Sequence, residues 1–261
     1  MKPDDAVIKP EKPKGWPACP NRTAVLVSSP ADLKDIVKRA ELSHTKPNVF
    51  LNSRMHCDPE SPARACIAGP FIGAPYAVML LESLVAWGIE RVLLFGWCGA
   101  ISPEVGVGDI IIPSSAFPGD GTTPNYSLSP EKPEETFPSA QLVSQLTHQC
   151  RRLKLTCRNA PVWTTDAVFR ETPEIIEYYQ EKGALAVEME TAAIFAAGAY
   201  RNIEVASVLA VSDELHTFTW QTGFGSNSFK KARQNAIELI LSITRHLDRQ
   251  CAPSAGSNRP E

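Results

Sequence analysis

Short apolar runs alternate with stretches of helical periodicity along almost the whole chain, and this limits the fold more than any other feature. Residues 23–27, 65–68, 91–95, 109–112, 184–187 and 204–211 read as short strands, several of the fully buried kind. Helical segments fall between them at 73–87, 139–152, 173–182, 190–200 and 227–247. Another helix opens at Ser29-Pro30, where serine can cap and proline suits the first turn; Thr172 before Pro173 repeats the signal. The 73–87 segment sets Ala77, Leu80, Leu81, Leu84 and Val85 on one face, has little polarity on the other and stops at Gly88. Burial on two sides is therefore expected. The 190–200 segment is largely alanine, which permits close packing, and 227–247 is amphipathic, with Phe229, Ala236, Ile240 and Leu247 on one face. Strands alternating with helices predict an α/β domain around one central, mostly buried sheet.

A chain of 261 residues can bury a full core without staples. Its 29 acidic and 26 basic residues leave a net charge of −3, which argues against a nucleic-acid binder with a basic footprint. The most apolar segment, 74–87, falls short of the ~20 residues of a membrane span and is broken by Glu82. The N-terminus lacks the apolar stretch of a signal peptide. Seven cysteines with no C-x-x-C pair predict reduced thiols in a cytoplasmic protein. His56-Cys57-Asp58 has no second ligand group at regular spacing, so no metal is expected. Five prolines in residues 1–20 predict an extended or disordered arm, followed by a domain over 21–250 and a tail at 251–261. Residues 119–138 read as a loop long enough to be functional or disordered.

Three strand ends carry unusual residues. Gly96 and Gly99 stand three apart, which suits a tight turn or a close approach to a ligand. That spacing is not G-x-G-x-x-G, which disfavours a dinucleotide-binding oxidoreductase. Glu188 and Glu190 flank Met189 where a strand hands over to a helix, and ligands of α/β folds gather at such ends. A carboxylate there can accept from sugar hydroxyls, or simply complement the helix dipole. Asp213, after Ser212, can donate a proton to a leaving group, or be a solvated turn residue.

Taken in order, seven motifs resemble the nucleoside phosphorylase and nucleosidase superfamily. They are GPFIGAP at 69–75, GWCGAI at 96–101, VGDII at 107–111, DGTTPNY at 120–126, WTTDAVFRET at 163–172, VEME at 187–190 and VSD at 211–213. The resemblance implies a single α/β domain of three-layer architecture, a central mixed sheet with a barrel-like part flanked by helices. It also implies a homo-oligomer, as dimer, trimer or hexamer, and a small-molecule nucleoside as partner. By the same resemblance Glu190 holds ribose hydroxyls, Met189 packs on the sugar, Phe169 borders the base, and Asp213 protonates a purine at N7. Glu188, Gly99 and Ser212 complete the expected substrate-binding set. No cofactor is implied beyond inorganic phosphate as co-substrate, and the reaction implied is phosphorolysis to free base and ribose 1-phosphate.

The resemblance breaks at the phosphate site. Phosphorolytic members carry arginines where this chain has Asp32 and Leu94, and a hydroxyl where it has Trp97. The phosphate contacts left are Ser28, Ser29, Lys34 and Arg54, the last reaching in from a neighbouring subunit, with Trp97 at the lost hydroxyl's position. A hydrolytic nucleosidase, with Asp32 as the nearest substitute for that group's glutamate, is the alternative. A non-catalytic nucleoside-binding protein is the alternative of another class.

Overall fold

The computed structural model describes residues 6–12, 14–16, 18–19, 21–58, 60, 65–127 and 133–251, without the side chains of 248–251. In chain order the elements are β1 Thr23–Val27, α1 Pro30–Arg39, β2 Asn48–Phe50, β3 Ser53–His56, β4 Cys66–Gly69, α2 Ala74–Trp87, β5 Arg91–Ala100 and β6 Ile110–Gly119. There follow α3 Ala140–Arg152, β7 Cys157–Thr165, α4 Pro173–Glu181, β8 Ala186–Glu188, α5 Thr191–Arg201, β9 Glu204–Glu214, β10 Gln221–Thr222 and α6 Asn227–Cys251. The strands form one sheet in the order β10-β9-β6-β7-β8-β5-β1-β4-β3-β2. A further pairing of β9 with β5 closes β5, β9, β6, β7 and β8 into a barrel. Parallel pairs such as β1–β5 and β5–β9 stand beside antiparallel ones such as β5–β8 and β6–β9, so the sheet is mixed.

Successive side chains of a strand point to opposite faces, and β1 and β5 divide their apolar residues accordingly. Leu26 and Leu94 pack with Leu80, Leu84 and Phe195 of α2 and α5. Val25, Leu93 and Phe95 pack with Ile36, Leu142, Phe229 and Ile240 of α1, α3 and α6. Helices, sheet and helices make the three layers. Helix α2 is buried on both sides, and its Glu82 meets Arg201 of α5 at 2.6 Å. A Cβ on Gly198 would lie 2.5 Å from Val205, so the small-residue face of α5 rests directly on β9.

Several strands run further than the sequence suggests. β5 continues to Ala100, so Gly96 and Gly99 lie within a strand and not in a turn beyond it. β6 continues to Gly119, and the expected long loop carries a short helical turn at Thr123–Tyr126 and an isolated bridge from Thr136 to Ala116. Strands β2, β3, β7 and β10 were not anticipated. Ser139 caps α3 by accepting from the Leu142 amide, whereas Ser29 and Thr172 make no side-chain cap bond.

The cysteines also correct the expectation of reduced thiols. Cys57–Cys66 and Cys150–Cys157 are disulfide-bonded. The antiparallel register that sets His56 opposite Ile67 brings the first pair together, with Cα atoms 4.7 Å apart. A tight turn from α3 into β7 brings the second pair to 6.7 Å, within reach of a bridge. An odd cysteine count carries no information about such proximity. The C-terminal tail beyond Cys251 lies outside the described residues, as do the first five residues of the arm. Within the arm, Trp16 is buried edge-on against Trp87 with ring centroids 5.0 Å apart. Among the described residues no helix is long and apolar enough to cross a membrane.

Candidate functional site

The ends of β1, β5, β8 and β9 converge at one mouth of the barrel. β5 and β9 run parallel until Cys98, where the register slips and sets Gly99 opposite Asp213. A Cβ at 99 would lie 3.1 Å from Asp213 Oδ2 and 2.5 Å from Leu215. The side chains of Leu215 and Asp213 thus fill the space that a side chain at 99 would need, so glycine here serves close side-chain packing and not a turn. Asp213 is oriented from two sides: the Ser212 hydroxyl donates to its Oδ1 at 2.6 Å, and the Trp220 indole N–H donates to its Oδ2 at 2.8 Å.

A second carboxyl shares this end of the cleft. Glu171, on the loop after β7, is half-buried, and burial, then the charge of Asp213, push its pKa up to about 7. Glu171 lies inside a motif already singled out, but its position beside Asp213 depends on barrel closure, which residue spacing does not reveal.

At the exit of β8 the two glutamates have separate tasks. Glu188 turns inward, where its carboxyl accepts from the Thr164 hydroxyl and from the backbone amides of Glu190 and Thr191, the latter two at 2.8 and 2.7 Å. It therefore secures the first turn of α5 instead of being presented to the cleft as the substrate-binding residue the sequence suggests. Glu190 accepts from the Gly73 amide at 2.6 Å. Gly73 has φ +81°, a conformation that suits glycine and aims its N–H at the carboxyl. Burial raises the pKa of both glutamates, and for Glu190 the neighbouring Glu188 adds to the rise. Met189 lies half-buried between them. Phe169 is 96% exposed on the rim loop and packs on none of these groups.

The corner between β1 and β5 is filled from within. Trp97 donates its indole N–H to Asp32 Oδ2 at 2.7 Å. Arg233 of α6 donates from Nε to Asp32 Oδ1 at 2.7 Å and places Nη2 2.6 Å from the same oxygen. Asp32 is 1% exposed, and Arg233 also lies over the rings of Trp97 and Phe229. Ser28 sits at this corner with its Oγ facing Gly96, and Ser29 is buried beside it. Leu94 is buried in the apolar layer.

Lys34 and Arg54 do not join this corner. Lys34 lies about 200° round α1 from Asp32. It lines, with Arg54, His56 and Pro30, a separate pocket of about 590 Å³. Asp32, both oxygens engaged, is not free to take the part of a nucleosidase base. Arg233 went unnoticed in the sequence, although it falls four residues after Phe229 and so shares that helix's buried face. Among the described residues no group of three or more His, Cys, Asp or Glu could hold a metal ion.

Chemically, the cleft presents two carboxyls whose burial favours the protonated form, Glu171 and Glu190, and a third carboxyl, Asp213, held in a fixed orientation by Ser212 and Trp220.

A family model described as the Phosphorylase superfamily matches residues 22–247. The chain is 25% identical over 173 residues to a guanosine phosphorylase of Halorubrum lacusprofundi, covering 66% of this chain and 70% of that protein. It is 28% identical over 185 residues to a DeoD-type purine nucleoside phosphorylase of Bacillus cereus, covering 69% and 73%. In fold it is similar to purine nucleoside phosphorylase of Toxoplasma gondii in complex with immucillin-H, with a TM-score of 0.77 at 18% identity over 88% of this chain and 92% of that one.

Proposed function

Because this chain belongs to the phosphorylase superfamily, we propose that it is an enzyme that cleaves the N-glycosidic bond of a purine nucleoside and releases the free base. The observation that carries this reading is Asp213, fixed by Ser212 and Trp220 at the mouth of the barrel with Glu171 beside it. Cleavage builds positive charge on the ribose, as in glycoside hydrolysis, and leaves an electron pair on the base. A proton delivered by Asp213 to N7 turns the base into a neutral leaving group. Glu171, with its pKa pushed up to about 7, holds a proton at neutral pH from which Asp213 can be resupplied. Glu190, steadied by the Gly73 amide, accepts from the ribose hydroxyls, and Met189 packs on the sugar. Gly99 lets Asp213 lie close against β5, and Phe169 folds onto the base from the rim. Glu188 acts through Glu190 as a positioning residue.

Uridine phosphorylases generally lack an acid at the position of Asp213, and the relatives named as acting on guanosine or purine nucleosides favour the same substrate class. A homo-oligomer is proposed on the same footing, since Val49 and Leu51, beside Arg54 on the β2–β3 hairpin, are exposed apolar residues.

The test is base release from separate purine and pyrimidine nucleosides, by the wild type and by Glu190→Ala. Release of a purine base that the variant loses supports the reading. Saturable binding of a purine nucleoside without any release would make this a nucleoside-binding protein.

A further inference from the structure

The phosphate that the family implies as co-substrate does not fit this chain. A dianion leaving water needs cations or several free donors to offset its desolvation. In the corner between β1 and β5 the charge of Arg233 is offset by Asp32, which binds it through Oδ1 at 2.7 and 2.6 Å. The same carboxylate takes the Trp97 indole N–H on its other oxygen, so that donor is spent and the charge of Arg233 is already offset by Asp32. Trp97 itself fills the corner, with Phe224 and Phe229 against its ring at centroid distances of 6.0 and 5.1 Å. Lys34 and Arg54 face another pocket.

We infer that the ribosyl acceptor is water, and that the Trp97–Asp32–Arg233 cluster is what excludes phosphate. This rests on the reading of the site as one that cleaves a purine nucleoside, and it names the acceptor for that reaction. In the step, the N9–C1′ bond breaks and its electron pair leaves with the base. Asp213 gives its proton to N7. The oxygen of a water molecule bonds to C1′, that water loses one proton to bulk solvent, and Asp213 takes a proton back from Glu171, which solvent reprotonates. The products are free base and ribose.

The experiment follows the wild-type protein with the purine nucleoside it cleaves fastest, in phosphate-free buffer and in 50 mM phosphate (a concentration of about fifty times a Kd of ~1 mM). Base is quantified by chromatography and the sugar product by phosphorus NMR and mass spectrometry. The account predicts ribose in both buffers, rates equal within about twofold, and calorimetric phosphate binding weaker than ~1 mM. Ribose 1-phosphate, with a rate that climbs with phosphate, would overturn the acceptor assignment while leaving nucleoside cleavage intact. No base from any nucleoside would overturn both.

The variant Asp32→Asn, which leaves Arg233 without its carboxylate, is expected to bind phosphate at least ~10-fold more tightly than the wild type, about 1.4 kcal/mol. An unchanged affinity in a folded variant would remove the cluster as the cause.

Discussion

Trp220 reaches back from the loop after β9 and donates its indole N–H to Asp213 Oδ2 at 2.8 Å, although the residue itself is 62% exposed. An exposed aromatic held by a polar bond to the site can orient the acid and be displaced by an incoming base. With Ser212 on the other oxygen, the carboxyl has a fixed plane. In Asp213→Asn the amide occupies the same space but cannot pass a proton. Cleavage of a natural purine nucleoside is expected to fall by ~10²–10⁴-fold. Cleavage of a riboside with an activated phenolic leaving group should fall far less. Steady-state kinetics on the two substrates checks this, and equal losses would assign Asp213 a structural role only.

Glu190 and Gly73 form the sugar end of the site. Glu190→Ala is expected to lower kcat/KM by at least ~100-fold, about 2.7 kcal/mol of transition-state stabilisation. Circular dichroism should show the fold retained, because the Thr164 hydroxyl and the start of α5 remain held by Glu188.

The carboxyl of Glu171 sets a pH dependence. Its pKa is about 7 in the folded chain against 4.5 for an ordinary glutamate. It is protonated below that value, so base release should decline as pH rises through about 7, and Glu171→Gln should remove that limb of the profile. The stability effect has a definite sign. Between pH 4.5 and about 7 the folded state binds more protons at this residue than the unfolded state. Its contribution is full below the unfolded value and is lost as pH rises through the folded one. Thermal unfolding across that window should show a smaller fall for Glu171→Gln than for the wild type.

Thr164 and Glu188 make a buried pair whose loss acts on the fold. Thr164→Val leaves the Glu188 carboxyl one donor short, at a cost of about 1–3 kcal/mol. A chain of this size should then lose several degrees of Tm. Activity is expected to drop with it, since Glu188 also holds the Glu190 amide at 2.8 Å.

Much of this architecture was legible in residue pattern alone. Apolar runs and capping signals located β1, α2, α3, α5 and most of α6 to within a few residues, because burial of one face imposes a period on the sequence. What pattern could not supply was long-range pairing. The glycines of 96–99 look like a turn until β9 lies alongside them, and β7, interrupted by Pro161, becomes a strand only between β6 and β8. The site divided the same way. Glu190 and Asp213 stand at strand ends that the sequence marks, whereas the contrast between Glu188 and Glu190 depends on which carboxyl meets Thr164 and which meets Gly73. Arg233 is separated from Asp32 by 201 residues, and no local signal joins them.

The central claim, that Asp213 and Glu190 form a site for purine nucleosides, is tested most directly by competition. Equal concentrations of inosine, adenosine, guanosine, uridine and cytidine are incubated together with the wild-type protein, and the free bases are followed by chromatography. The account predicts that purine bases appear first, with kcat/KM at least ~100-fold above that for either pyrimidine nucleoside, a difference of about 2.7 kcal/mol. Release of uracil or cytosine ahead of any purine, or of no base at all, would contradict it.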